Sequence, residues 1–114
     1  TNGTWHWTKW NSGKAECYGK RDFGKIDITI RKVSNIYTSA TQTQDLPSGL
    51  FIEAPEFINI NTYADGGTSQ YCWICNDAAT AASTTSTGGF VVMSYNSKTT
   101  TSTTLTFNII GRWK

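Results

Sequence analysis

Apolar and polar residues alternate with a period of two along much of this chain. Near its start Trp5 and Trp7 alternate with polar neighbours, and the same pattern recurs in residues 25–33, 56–63 and 104–113. Successive side chains of a β-strand point to opposite faces, so this period predicts strands that each bury one face. No heptad or internal repeat competes with it.

The expected inner faces of these strands are apolar. They comprise Ile26, Ile28 and Ile30 in the second segment, Ile58 and Ile60 in the third, and Leu105, Phe107 and Ile109 in the last. Shorter segments at 14–19, 70–75 and 90–95 predict further strands. We expect Trp73, in the middle of one of them, to lie in the core.

Turn signals separate the strands every 8–12 residues. Asn-Ser-Gly at 11–13 predicts a β-hairpin near the start, and Asp-Gly-Gly at 65–67 predicts another. The Thr- and Ser-rich stretch 76–89 is expected to be an exposed loop. Only three Leu and one Met stand against 19 Thr, which is a strand composition. The pattern predicts one all-β domain over residues 1–114, an antiparallel β-sandwich of about 6–8 short strands.

The charges are few and unevenly distributed. The net charge is +2, with net +4 in residues 1–32, −5 in 33–97 and +3 in 98–114. The basic residues are scattered, whereas nucleic-acid binding needs a dense basic face, so we expect no nucleic-acid partner. No apolar run approaches the roughly 18 residues of a transmembrane helix, and we expect no membrane insertion. A start at Thr1 without Met predicts a fragment or a processed product.

The three cysteines, Cys17, Cys72 and Cys75, are too few and odd in number for a secreted disulfide scaffold. Cys72 and Cys75 form a Cys-x-x-Cys motif, but in a strand positions i and i+3 face opposite sides. A zinc site would need two further ligands, and His6 is the only histidine. We expect three small buried side chains in a reducing compartment, and neither a metal nor a cofactor.

The candidates for catalysis are weak. A Ser-His-Asp site would have to use His6 between two tryptophans, and no Gly-x-Ser-x-Gly motif occurs. Glu53 and Glu56 could form the carboxylate pair of a glycosidase, but they flank Pro55 in an expected turn or strand entry. We therefore expect no enzymatic activity.

Binding of a sugar is the better hypothesis. Aromatic rings pack on the C–H faces of sugars, while amides and carboxylates bind the hydroxyls. Such residues gather around the 65–67 hairpin and after it. The candidate ligand-binding residues are Tyr63, Asp65, Tyr71, Asn76 and Asp77. The alternative for Tyr71, as for Trp73, is a place in the core.

Three segments together resemble a known family. Residues 3–19, with Trp-x-x-x-x-Trp-Asn-Ser-Gly-Lys-Ala-Glu-Cys-Tyr-Gly at 5–19, are similar to the tryptophan-rich opening of C-terminal domains in tail-fibre or minor structural proteins of bacteriophages and prophages. Residues 46–62 are similar to that family's Leu-Pro-x-x-Phe-x-x-x-Pro-x-Val-x-Ile stretch. Thr-Gly-Gly-Phe-Val-Val at 87–92 and the ending Ile-Gly-Arg-Trp-Lys at 110–114 complete the resemblance. The pattern Phe-x-x-x-Pro, Gly-Phe-x-Val and Ile-Gly within these segments is also similar to H-type lectin domains.

The resemblance implies a homotrimeric β-sandwich at the distal tip of a virion tail fibre, made in the host cytoplasm. The implied function is attachment to a bacterial surface receptor, and the similarity to H-type lectins implies a glycan bound near subunit boundaries. The framework tryptophans Trp5, Trp7, Trp10 and Trp113 would lie in the core or an interface, and Lys114 would be the fibre's C-terminus. The alternative is a trimerisation and folding cap with no receptor contact of its own.

Overall fold

The structure is a computed structural model that describes residues 5–63, 72–77, 80–100 and 102–114. These residues form ten β-strands and no helix. The strands are β1 (Trp5–Lys9), β2 (Lys14–Asp22), β3 (Asp27–Ile28), β4 (Ile30–Val33), β5 (Ile36–Thr38), β6 (Phe57–Thr62), β7 (Cys72–Asn76), β8 (Phe90–Ser94), β9 (Lys98–Thr99) and β10 (Thr104–Arg112). Every pairing between them is antiparallel.

The first sheet has the strand order β1-β2-β10-β6. β1 and β2 form the hairpin predicted from the turn at 11–13, with Trp5 opposite Gly19. Gly13 adopts a φ of 99°, and a Cβ there would lie 2.8 Å from the main-chain oxygen of Lys114. Only glycine fits this turn, because it needs a left-handed backbone and packs directly against the end of the chain.

The second sheet has the order β4-β5-β8-β7, and the two-residue strands β3 and β9 pair beside it. Its longest pairing joins β7 and β8, from Cys72 opposite Ser94 to Asn76 opposite Phe90. β6 and β7 are consecutive strands, yet they belong to different sheets. The chain therefore crosses from one sheet to the other between residues 62 and 72.

The inner faces of the two sheets meet in an apolar core. Phe107 of the first sheet lies edge-on to Phe90 of the second, with ring centroids 6.2 Å apart. Buried with them are Trp5, Ala15, Cys17, Leu46, Leu50, Phe51, Leu105 and Ile109. Burying one large apolar side chain stabilises a fold by about 1.5–3 kcal/mol. The antiparallel β-sandwich is confirmed, and eight of the ten strands have three residues or more.

The prediction that Ile30 shares the buried face of Ile26 and Ile28 is wrong. The first two are buried, but Ile30 is 47% exposed. β3 ends at Ile28 and β4 begins at Ile30 in a different sheet, so the alternation restarts there. By contrast, the alternation predicted for β6 and β10 is confirmed along both strands.

The core prediction for Trp73 and the burial predicted for Cys75 are also wrong. Cys72 and Ile74 pack against the core, so their neighbours on a five-residue strand must point outward. Trp73 is 41% exposed and Cys75 is exposed as well. Cys17 is fully buried, as expected. The Cys-x-x-Cys motif does lie on a strand, with its two sulfurs on opposite faces.

The exposed loop predicted for 76–89 is exposed only in part. Its last residues, Thr87–Gly89, are buried, and the Thr87 amide donates to the main-chain oxygen of Gln44 at 2.9 Å. Gly88 has a φ of 79°, and a Cβ there would lie 2.7 Å from the amide nitrogen of Ala82. Residues 87–89 therefore pack between residues 80–82 of the same loop and the segment that contains Gln44.

Candidate functional site

The structure describes three of the five sequence-predicted site residues and does not bring these three into one cluster. Asp65 and Tyr71 lie outside the described residues. Tyr63 lies just beyond the end of β6, is exposed, and carries the Lys20 ammonium 4.4 Å from its ring centroid. β7 begins at Cys72, whereas Asn76 is its last residue and Asp77 follows it, so these two lie at the far end of the strand from β6 along the chain.

Asn76 and Asp77 do share a cleft. It has a volume of about 550 Å³ and lies between β6, β7 and the loop that precedes β8. Ile58, Ile60 and Ile74 line it on the apolar side. Tyr63 lies three residues beyond Ile60, which is roughly 10 Å along an extended strand. The predicted site is therefore divided between two places on the molecule.

Asp77 has structural partners in this cleft. Its carboxylate accepts a hydrogen bond from the Thr41 hydroxyl, and its amide donates to the main-chain oxygen of Gly89 at 2.9 Å. These bonds tie the strand end to the segments on either side. Asp77 thus serves the fold, and a ligand would have to compete with Thr41 for its oxygens.

A larger groove, of about 650 Å³, lies on the outer face of the first sheet. Four of its side chains form one row across four strands, because His6 is opposite Tyr18, Tyr18 is opposite Asn108, and Asn108 is opposite Asn59. Directly opposed residues project from the same face of a sheet. We name His6, Tyr18, Asn108 and Asn59 the polar row. Gly19, Lys20, Thr106 and Phe107 complete the groove lining.

The polar row combines an aromatic platform with amides. Tyr18 is 55% exposed, and its ring stacks on His6 with centroids 5.2 Å apart and an interplanar angle of 24°. This holds the phenol ring in place beside the two amides. A sugar ring can rest on such an aromatic face while asparagine amides donate and accept hydrogen bonds with its hydroxyls.

Asn108 has an unusual feature in this row. Its Oδ1 is buried and has no hydrogen-bond partner. A buried polar atom without a partner costs about 1–3 kcal/mol, so such atoms are rare in folded proteins. The protein covers this atom, so a ligand in the groove would contact the Asn108 side chain at its other atoms.

The outer face of the second sheet has a contrasting row. Ile30 is opposite Thr38, Thr38 is opposite Met93, and Met93 is opposite Trp73. We name these four residues the apolar row. Ile30 and Trp73 at its ends are exposed, whereas the Thr38 Oγ1 in its middle is buried without a hydrogen-bond partner. The two outer faces therefore differ in chemistry although both contain one unsatisfied polar atom.

The described residues offer little for catalysis. Burial raises the pKa of the Cys17 thiol from 9.0 to about 12, with a further increase from the neighbouring Glu16 carboxylate, so this cysteine is a poor nucleophile. Glu53 and Glu56 are both exposed. Within the described ranges, no three His, Cys, Asp or Glu side chains cluster as metal ligands. Across the same ranges, no helix is long and apolar enough to cross a membrane.

Sequence reasoning missed the polar row because its residues are far apart in the chain. The alternation did assign each of them to an outward position of its strand. Only the strand order, which places β10 between β2 and β6, shows that they form one row. Comparisons with protein-family models, with curated proteins and with solved structures gave no match.

Proposed function

We propose that this chain is a binding domain that attaches a virion to a bacterial surface glycan. The observation that carries the proposal is the polar row, with the exposed Tyr18 ring as a platform and the Asn59 and Asn108 side chains beside it. No catalytic step is part of the proposal.

In the bound state the C–H face of a sugar ring rests on Tyr18. The sugar hydroxyls exchange hydrogen bonds with the exposed Asn59 amide and contact the Asn108 side chain on the neighbouring strand. His6 keeps the phenol ring oriented from the other side through the stacked contact. All four side chains stand on paired strands, so the platform is formed before the ligand arrives and little conformational entropy is lost on binding.

The resemblance to tail-fibre C-terminal domains supports the place we propose for this domain, the distal tip of a virion tail fibre. It also supports a homotrimer. The apolar row is the surface that we assign to the subunit contact, because it presents exposed Ile30 and Trp73 on the side away from the groove. Three linked subunits raise the avidity of weak sugar sites without any new contact within a site.

The second candidate function, a trimerisation and folding cap, also rests on the apolar row. If the domain only holds three chains together, the polar row has no ligand. Substitutions in the row would then change the stability of the fold at most, and not the binding to host cells. The two candidates therefore differ in what they predict for Tyr18.

The test begins with light scattering to fix the oligomeric state, followed by a glycan array and host-cell binding with the same sample. Tyr18→Ala should abolish detectable glycan and cell binding while leaving the oligomer intact. Tyr95→Ala is the matched control, because Tyr95 is 49% exposed on the second sheet's side and is absent from the groove lining. Unchanged binding by Tyr18→Ala, or no binding by the parent protein, contradicts the proposed function.

A further inference from the structure

The outer face of the first sheet continues beyond the polar row toward the hairpin turn. On β2 and β10, Tyr18 is opposite Asn108, Glu16 is opposite Ile110, and Lys14 is opposite Arg112. These pairs project from the same face. Lys14 is four residues from Tyr18, which is roughly 13 Å along the strand. A linear ligand in the groove can therefore reach the Lys14–Arg112 pair.

Lys14 and Arg112 are held in position by contacts of their own. The Lys14 ammonium lies 4.6 Å from the centroid of the Trp10 ring. An Arg112 guanidinium nitrogen donates to the main-chain oxygen of Lys114 at 2.8 Å. Cations that are already ordered lose less entropy when they bind an anion than free surface side chains do.

Two further cations surround the same end of the sheet. Lys9 and Lys114 place their ammonium groups 5.1 and 4.9 Å from the centroid of Trp113. The indole N–H of Trp113 donates to the main-chain oxygen of Trp10 at 2.7 Å, which joins the two tryptophans. Lys9 is opposite the buried Ala15 and therefore projects from the core-side face, so we name Lys14, Arg112 and Lys114 the basic end.

The carboxylates near the basic end are few. Glu56 lines a depression of about 340 Å³ together with Lys14 and Arg112. Glu16 lies between the polar row and the basic end, opposite Ile110. Three cations outweigh these two carboxylates, but Glu16 repels negative charge midway along the path. The surface therefore favours a ligand whose negative charge lies at the basic end and not at every position.

We infer that the groove's ligand is an anionic oligosaccharide, with a neutral ring on Tyr18 and a carboxylate or phosphate group about 13 Å away at Lys14 and Arg112. This inference rests on the proposed glycan-binding function and specifies its ligand. Guanidinium and ammonium groups bind both carboxylate and phosphate, which is the chemistry that the two sources share.

The experiment uses a glycan array with matched neutral, uronate-bearing and phosphodiester-bearing oligosaccharides, read at about 50 mM and about 500 mM salt. The full chain should bind one of the anionic forms on the order of tenfold more tightly than the neutral form at low salt. High salt should remove that difference. Which anionic form binds identifies the acidic group.

The decisive variant is the double substitution Lys14→Gln with Arg112→Gln. It should reduce anionic binding to the neutral level and leave neutral binding unchanged. Arg31→Gln with Lys32→Gln is the matched control, since it removes the same two charges from β4 of the other sheet. Glu16→Gln should increase anionic binding severalfold, a gain that no loss of folding can imitate.

Three results would overturn the inference. Equal binding of neutral and anionic glycans would do so while leaving the proposed function standing, as would an anionic preference that survives the Lys14 and Arg112 substitutions. Single-stranded DNA of equal charge binding as tightly as the anionic glycan would show general polyanion binding instead. Binding of no glycan at all would contradict the proposed function itself, and the inference with it.

Discussion

The outer faces of the two sheets share one arrangement of side chains but differ in polarity. Each carries a row of four opposed side chains with one buried polar atom that lacks a partner, the Asn108 Oδ1 in the polar row and the Thr38 Oγ1 in the apolar row. The first atom belongs to a side chain that lines the groove. The second belongs to Thr38, whose opposed neighbours are Ile30 and Met93. We propose that the polar row contacts the ligand and that the apolar row contacts the neighbouring subunits.

The largest effect is expected from breaking the apolar row. Substituting Ile30→Lys together with Trp73→Lys places two charges on the proposed subunit contact, which should convert the proposed trimer to monomers in light scattering. Binding to a glycan-coated surface should fall by on the order of a hundredfold through lost avidity, while each monomer keeps its intrinsic affinity in solution calorimetry. A double variant that remains trimeric would remove the apolar row from the interface.

The next effect concerns the polar row. Asn108→Ala should weaken glycan binding by about tenfold in calorimetry, because the groove loses a side chain that lines it beside Tyr18. The free energy of unfolding should not fall, since the substitution removes a buried oxygen that has no partner. Weaker binding with a matching loss of stability would instead mean that Asn108 supports the sheet and not the ligand.

The buried Cys17 offers a test of how tightly the core between the two sheets is packed. The raised pKa of Cys17 means that the folded state holds its proton more tightly than the unfolded chain does. The stability that the protonated Cys17 thiol contributes is therefore fully present below pH 9 and is lost as the pH rises toward 12. The free energy of unfolding should be lower by on the order of 1 kcal/mol at pH 10. Denaturant unfolding between pH 8 and 10 should show this slope.

The control for that slope is Cys17→Ala, which should unfold with a shallower dependence on alkaline pH. A thiol reagent at neutral pH should modify the exposed Cys75 of the native protein quickly and leave Cys17 unmodified until the protein unfolds. Rapid labelling of Cys17 in the native state would show that the core beneath the polar row opens readily.

The smallest effect is expected for the hydroxyl of the apolar row. Thr38→Val replaces an unsatisfied buried oxygen with a methyl group of similar size and should raise the free energy of unfolding by about 0.5–1 kcal/mol. Glycan binding should not change. Thr106→Val serves as the control, because the Thr106 hydroxyl already donates to the main-chain oxygen of Asn61 at 3.4 Å and its removal should not stabilise the fold.

Much of the fold could be predicted from alternation alone. The period of two along β6 and β10 assigned each residue to the correct face, and the turn at 11–13 located the first hairpin. The errors at Ile30 and Trp73 share one cause. Period two determines which residues share a face but does not show which face is covered or where a strand changes sheet.

The candidate site could be predicted less well. Tyr63 lies 13 positions before Asn76 and 14 before Asp77 in the sequence, but β6 and β7 belong to different sheets and separate it from the other two. Asn59 and Asn108 lie 49 positions apart in the chain and are opposite each other in the sheet. Pairing of distant strands depends on long-range contacts, which a local pattern does not contain.

The central claim, that the glycan binds at the polar row, can be tested directly by nuclear magnetic resonance. The side-chain amide signals of Asn59, Asn108 and Asn76 are recorded while a binding oligosaccharide is titrated into the protein. We predict saturable shifts for Asn59 and Asn108, with none for Asn76 in the cleft between the sheets. Shifts at Asn76 without any at Asn108 would contradict it.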